Sequence, residues 1–236
     1  MLVLGIETSS YEGSVALERD GVCLDERRLN QVGRRHAQSL VAEIGAMLRN
    51  QGLMPRDVDV IAVSQGPGSF TGLRVGMVAA KTFAYATQCR FVAVDTFAAI
   101  AENIPHEVTR LLVIDDAQRD ELFVGEYLRK PQLDWELVLP IHIESVDAFL
   151  SHRTIADVIS GPGLRKFENQ PCVAMCLPDP AHCQPRASAI ARLGRLSLKA
   201  NPADGVNEKE DFWRATPFYL RLSAAEEKRA SLDAQV

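Results

Sequence analysis

The sequence predicts an α/β protein built from two tandem copies of one unit, and three observations carry that reading. A short apolar strand ending in an acid, then a polar turn and a second strand, occurs once in each half. The first copy is Leu2–Glu7 with the turn 8–13; the second is 111–115 (Leu-Leu-Val-Ile-Asp) with the turn 116–120. An apolar strand running through serine into Gly-Pro-Gly also occurs once in each half, at 58–68 and 155–163, in the same order. Amphipathic helices alternate with strands after the first hairpin of each half, which favours α/β over all-β. Two features repeated in register point to a duplicated unit. The boundary is expected near Ile104-Pro105-His106, giving units 1–104 and 105–223 and a tail at 224–236.

The elements follow in order. Residues 14–18 read as a second strand, and Gly21 turns the chain into a third at 22–29. A helix is expected at His36–Asn50, with Leu40, Val41, Ile44, Met47 and Leu48 as its apolar stripe and Gly52 and Pro55 as its stop. The buried strand 58–64 leads through Gln65-Gly66-Pro67-Gly68-Ser69-Phe70-Thr71-Gly72 into a long helix ending near Ala86. A strand at 91–94 and a short helix from Phe97 complete the first unit. In the second, strands are expected at 122–128, around 135–139 and at 155–160, and a helix at 187–200 that Asn201-Pro202 stops. Three hairpin-connected strands followed by alternating helices and strands make a mixed sheet of the ribonuclease-H kind. Two such domains in tandem make the actin-like, sugar-kinase-like ATPase (ASKHA) architecture.

Composition narrows the function. Apolar residues are 47% and charged residues 24%, which excludes a disordered, collagen-like or coiled-coil chain. The net charge of −5 and the absence of a basic half argue against a chain that holds nucleic acid alone. If RNA is involved, a partner is expected to hold it. No apolar run approaches the roughly 20 residues of a membrane span, and Glu7 interrupts the apolar start too early for a signal peptide. Five scattered cysteines without an export signal suit free thiols in a reducing cytoplasm.

The Gly66-Pro67-Gly68 turn suits a type II geometry, and Thr71 is the expected N-cap of the next helix. Two readings stand. Backbone N–H groups there, with Ser9 and with Arg74 in the first helical turn, form a vestigial phosphate cradle; or this is a tight strand-to-helix turn that needs flexible backbone. It is neither a Walker A loop nor GxGxxG. The helix behind it repeats small residues at Gly72, Gly76, Ala80 and Ala84. Glycine within a helix costs up to about 1 kcal/mol relative to alanine, so close helix packing should offset Gly76. That packing is either within the domain or against a second chain. On the second reading His36, Leu40, Ile44, Gly72, Gly76 and Ala80 form a partner interface, in a homodimer or with a related chain.

The chemical inventory is sparse. The five histidines are far apart, with no His-x-x-x-His and no HExxH. Cys172, Cys176, His182 and Cys183 cluster with a spacing foreign to structural zinc sites, so no metal is expected. Ser69 lacks a Gly-x-Ser-x-Gly setting, and nothing ties His36 to it as a base. Glu7 and Asp115 stand at strand ends, as phosphate- or metal-handling acids or as turn caps.

The residues then show a resemblance. Gly5-Ile-Glu-Thr-Ser-Ser10, Ser14-Val-Ala-Leu17, His36 with Gln38, the block from Ala62 to Lys81, Val94-Asp-Thr-Phe-Ala-Ala99, Ile114-Asp-Asp-Ala-Gln118, Ser160-Gly-Pro-Gly163 and Pro217-Phe-Tyr-Leu-Arg221 resemble the TsaB (YeaZ) family. Those proteins are subunits of the bacterial machinery that makes threonylcarbamoyladenosine in tRNA. Family members often carry Asp where this chain has Glu7. The catalytic relative, TsaD, has a His-x-x-x-His metal pair at positions that align with Thr96 and Ile100, and a hydroxyl and an alkyl group cannot replace two imidazoles.

The resemblance therefore implies a non-catalytic, cytoplasmic subunit that supports TsaD. A TsaE-like ATPase is a further partner, tRNA is contacted only indirectly, and no cofactor is required, with room left for a weak or interface-bound nucleotide. The alternative is an ATP-dependent actin-like kinase or carbamoyltransferase acting alone. A metallopeptidase lacks its ligands here. The 224–236 tail is expected to be dispensable.

Overall fold

The computed structural model describes residues 1–29, 36–131, 135–153, 157–167, 180–200 and 211–220. The first sheet holds β1 (Leu2–Glu7), β2 (Ser14–Arg19), β3 (Val22–Arg28), β4 (Val60–Gly66) and β5 (Arg90–Asp95), in the order β3-β2-β1-β4-β5. The hairpin pairs are antiparallel, whereas β4 and β5 run parallel to β1. The parallel steps are bridged by α1 (His36–Asn50) and α2 (Phe70–Thr87). The second sheet holds β6 (Arg110–Gln118), β7 (Glu121–Arg129), β8 (Trp135–Ser145) and β9 (Ile159–Ser160), ordered β8-β7-β6-β9. Its β6–β7 and β7–β8 pairs are antiparallel and β6–β9 is parallel, so the first unit's plan recurs one sheet later.

Side-chain alternation along the strands separates two cores. Leu4, Ile6, Ile61 and Val63 point to one face, against Leu40, Ile44, Met47 and Leu48 of α1 and Met77, Ala80 and Ala84 of α2. Val3, Val60 and Ala62 point to the other. That second face is covered by Ala99 of α3 (Thr96–Ala101) and by Ala189, Ile190, Ala191 and Leu198 of α5 (Ala187–Ala200). The other side of α3, with Phe97 and Ile100, fills the core shared with β6, β7 and β8. On the far face of the second sheet, Phe149 of α4 (Val146–Ser151) and Phe167 pack on Leu112, Ile114, Leu122 and Val124.

Helix α5 crosses the expected division at residue 104. The helix comes late in the second half yet lies on the first sheet. Gly5 admits it: a Cβ there would stand 2.2 Å from the Ala187 carbonyl oxygen. Its first-turn N–H groups are satisfied by the sheet, Ala187 N–H donating to Ser14 Oγ (3.0 Å) and Ser188 N–H to Glu26 Oε1 (3.0 Å). Farther along, Arg195 donates to the buried Glu18 carboxylate of β2. Helix α5, from the expected second unit, therefore packs on the first sheet. Cys172, Cys176 and the 224–236 tail lie outside the described residues, and Cys183 is half-buried.

Candidate functional site

A cleft of about 840 Å³ opens between the two sheets. The turn after β1 supplies Ser9 and Ser10, the start of α2 supplies Gly68 and Ser69, and the second hairpin supplies Asp115 and Asp116. Arg165, Lys166 and the segment Phe218–Leu220 close the remaining sides.

The residues of the expected phosphate cradle form a tight turn that uses several of its donors within the chain. The Gly66–Pro67 peptide is cis and Gly68 has φ 151°, far from the about +80° that a type II turn requires of its glycine. Ser69, and not Thr71, caps α2, its hydroxyl accepting from Gly72 N–H (3.3 Å). Gly66 N–H donates to Thr96 Oγ1 (3.1 Å) and Ser69 N–H to the Ser9 carbonyl (2.7 Å). Gly68 lets the two turns meet, since a Cβ there would stand 2.7 Å from the Ser9 carbonyl oxygen. Arg74 leaves the cradle: its guanidinium lies 3.8 Å from the Phe70 ring centroid, and its Nε donates to the Tyr219 hydroxyl (3.0 Å).

Glu7 caps its own turn. Oε1 accepts from Ser9 N–H (2.6 Å), Ser9 Oγ (2.6 Å) and Ser10 N–H (3.2 Å). Burial raises the Glu7 carboxyl above its usual range, against the pull of those donors. Asp115 is its counterpart in the second sheet, accepting from Asp116 N–H (2.7 Å). Burial pushes Asp115 up to about 7, with Asp116 and Glu7 adding repulsion and Arg165 opposing it. A carboxyl raised in the folded state contributes stability that is full below its unfolded value near 4 and is lost as pH rises through about 7. Asp115→Asn is accordingly expected to flatten part of the decline in melting temperature between pH 5 and 8, and to be the more stable form at pH 8. Solvent reaches this half-buried group, which holds the difference to about 1 kcal/mol, or about 2–4 °C. Parallel melting curves for the two proteins would expose the idea as wrong.

The expected partner interface needs a larger correction. Leu40, Ile44, Gly72, Gly76 and Ala80 are all buried in this chain's own core, so the small-residue face packs within its domain. A Cβ on Gly72 would stand 1.9 Å from the Thr8 carbonyl oxygen, and one on Gly76 2.2 Å from Thr8 Oγ1. The His36 side chain lies outside the described residues. What α1 and α2 turn outward is a different set: Val41 (73% exposed), Val78 (64%) and Tyr85 (54%), with Trp213 (53%) against Tyr85. Val41 reads as part of the α1 stripe, three residues before Ile44 and seven before Leu48, but it falls at the edge of that stripe and stays exposed.

Thr96 and Ile100 occupy successive turns of α3, 2% and 0% exposed, the first bonded to Gly66 and the second in the inter-sheet core. Among the described residues, no three His, Cys, Asp or Glu side chains converge as a metal site, and no helix is long and apolar enough to cross a membrane.

Two mixed sheets of one plan, facing each other across a cleft, define the actin-like, sugar-kinase-like class of fold. Residues 27–149 match the family described as TsaD, tRNA N6-adenosine threonylcarbamoyltransferase. Similar proteins include the tRNA threonylcarbamoyladenosine biosynthesis protein TsaB of Bacillus subtilis, 28% identical over 97% of each chain. TsaB of Escherichia coli K12 is 30% identical over 64% of this chain and 62% of its own. The solved structure of YeaZ from Pseudomonas aeruginosa superimposes with a TM-score of 0.77 at 27% identity, covering 93% of this chain and 99% of that one. The chain belongs to the TsaD family, and its full-length likeness is to the TsaB (YeaZ) proteins of tRNA threonylcarbamoyladenosine biosynthesis.

Proposed function

We propose that this chain is a non-catalytic subunit of a tRNA threonylcarbamoyladenosine modification complex. It docks a TsaD-type catalytic subunit on the outer face of α1 and α2. The observation that carries this reading is the outward apolar set Val41, Val78 and Tyr85 on two adjacent helices. Exposed apolar side chains gathered on one face suit association. The relatives' role in tRNA threonylcarbamoyladenosine biosynthesis supports the pathway, and Thr96 and Ile100 at the positions of the catalytic relative's histidines support a non-catalytic part in it. The acidic balance suits a subunit that meets tRNA only through its partner. A TsaE-type ATPase joins the assembly, the chain alone pairs with a second copy through the same face, and the compartment is the cytoplasm. No cofactor is required on this reading, and a nucleotide is at most weakly or interface-bound: the N–H groups of Ser9, Ser10, Gly66 and Ser69 are committed within the chain.

The test is co-purification and titration with the host's TsaD-type subunit. Val41→Asp/Val78→Asp places two charges in the face without touching the core. Each desolvated, unpaired charge costs at least about 1.4 kcal/mol, so affinity should fall about tenfold or more per site. Circular dichroism should stay unchanged. Undiminished binding by the folded double variant would remove this face from the interface.

A further inference from the structure

We propose that residues 213–220 form a latched cover of the inter-sheet cleft, and that Lys81 is the latch. The segment runs along α2 in the opposite direction to the helix. Trp213 meets Tyr85 near the helix's C-terminal end, with ring centroids 6.3 Å apart. Phe218 then lies over the Gly-Pro-Gly turn, its N–H donating to the Gln65 carbonyl (2.8 Å). Tyr219 packs on Phe70 at the start of α2 (5.0 Å). Leu220 reaches the core shared with the second sheet. Phe218, Tyr219 and Leu220 together form one wall of the cleft.

Lys81 stands midway along this path. Its Nζ donates to the Trp213 carbonyl (3.0 Å) and the Ala215 carbonyl (2.5 Å), and the residue is 8% exposed. Burial lowers its pKa, as expected of an ammonium removed from water. The two carbonyls compensate that desolvation only while the segment is down. When it lifts, water solvates the ammonium instead. The closed and open states thus exchange one set of acceptors for another, which keeps their free energies close. Ala215 and Leu220 anchor the segment at the edges of the two cores, while Trp213, Phe218 and Tyr219 keep 53%, 40% and 41% of their surface exposed. A segment held in this way belongs to the low-stability end of a fold and opens without global unfolding. The inference does not depend on the partner face, since it concerns access to the cleft in the chain alone.

The test uses the full chain with Trp135→Phe, which leaves Trp213 as the single tryptophan. Lys81→Met keeps the length of the side chain and removes its donors. Acrylamide quenching of Trp213 should rise about twofold or more, and amide exchange at 65–72 and 213–220 should quicken about tenfold or more. Far-UV circular dichroism and exchange in β1 and β2 should not change. Lys81→Arg, which retains donors, should behave as the parent. If Lys81→Met does not fold, Phe218→Ala/Tyr219→Ala takes its place, with faster exchange expected at 65–72 alone. Unchanged quenching and exchange in the folded variant would overturn the proposal. So would acceleration spread across the first sheet, which would make Lys81 an ordinary core residue.

Discussion

Gly72→Ala is expected to destabilise the protein by about 3 kcal/mol, the upper end of the usual overpacking range. Two effects compete. Alanine is the better helix former by about 1 kcal/mol, and α2 would gain that. Its Cβ, however, would stand 1.9 Å from the Thr8 carbonyl oxygen. That neighbour is backbone between β1 and the first turn, so no rotamer change relieves the clash, and the helix must lift from the sheet. A fall in melting temperature of about 6–12 °C follows for a chain of this size. Gly76→Ala should cost less, because its Cβ would meet Thr8 Oγ1 at 2.2 Å, a side-chain atom. The hydroxyl can turn away at the expense of its hydrogen bond to the Gly72 carbonyl (2.8 Å). Thr8→Ala should therefore rescue Gly76→Ala and leave Gly72→Ala as unstable as before, a coupling that a double-mutant cycle reads directly. Gly76→Leu exceeds the available space altogether and should yield no folded monomer. Were Gly72→Ala more stable than the parent, helix propensity would have won and the packing account would be wrong.

The second large effect belongs to the Arg195–Glu18 pair. Both side chains are nearly buried, with 11% and 5% exposure. Removing one member of such a pair leaves the other charge without compensation, at a cost of about 3–5 kcal/mol. Arg195→Ala should thus shift the urea midpoint strongly and loosen α5 first, because the pair ties that helix to β2. Glu18→Gln/Arg195→Met removes both charges and should recover much of the loss. A change below about 1 kcal/mol in Arg195→Ala would show that water already compensates Glu18.

The duplicated plan was legible because its markers are local. An apolar run, an acid and a polar turn need no knowledge of the rest of the chain; β1 stops at its acid Glu7, while β6 runs past Asp115 to Gln118 before it turns. Direction and partner were not legible. The stripe of α5 says that the helix buries one side but not which sheet receives it, and only contacts spanning some 170 positions, such as Ala187 to Ser14, decide that. The small residues of α2 announce a close approach without saying to what; Thr8 proved to be the answer, and the docking face passed to Val78 on the other side. Ser69 and Thr71 are both chemically fit to cap α2, and the choice rests on a backbone path that the sequence does not encode locally. In β8 the expected strand 135–139 continues to Ser145. Its exposed Leu137, Val138 and Leu139 break the alternation by which an edge strand is usually found.

The return of α5 to the first sheet has a consequence for synthesis. On the ribosome β1 to β5 emerge first, and Val3, Val60 and Ala62 face outward with only Ala99 of α3 on their side. Their lid is translated only as far along as Ala200, after the whole of the second sheet. The earliest part of the chain to appear is thus among the last to be finished. A nascent chain halted before that point presents a largely uncovered sheet face to chaperones and proteases, and maturation of the two halves is a single, late event.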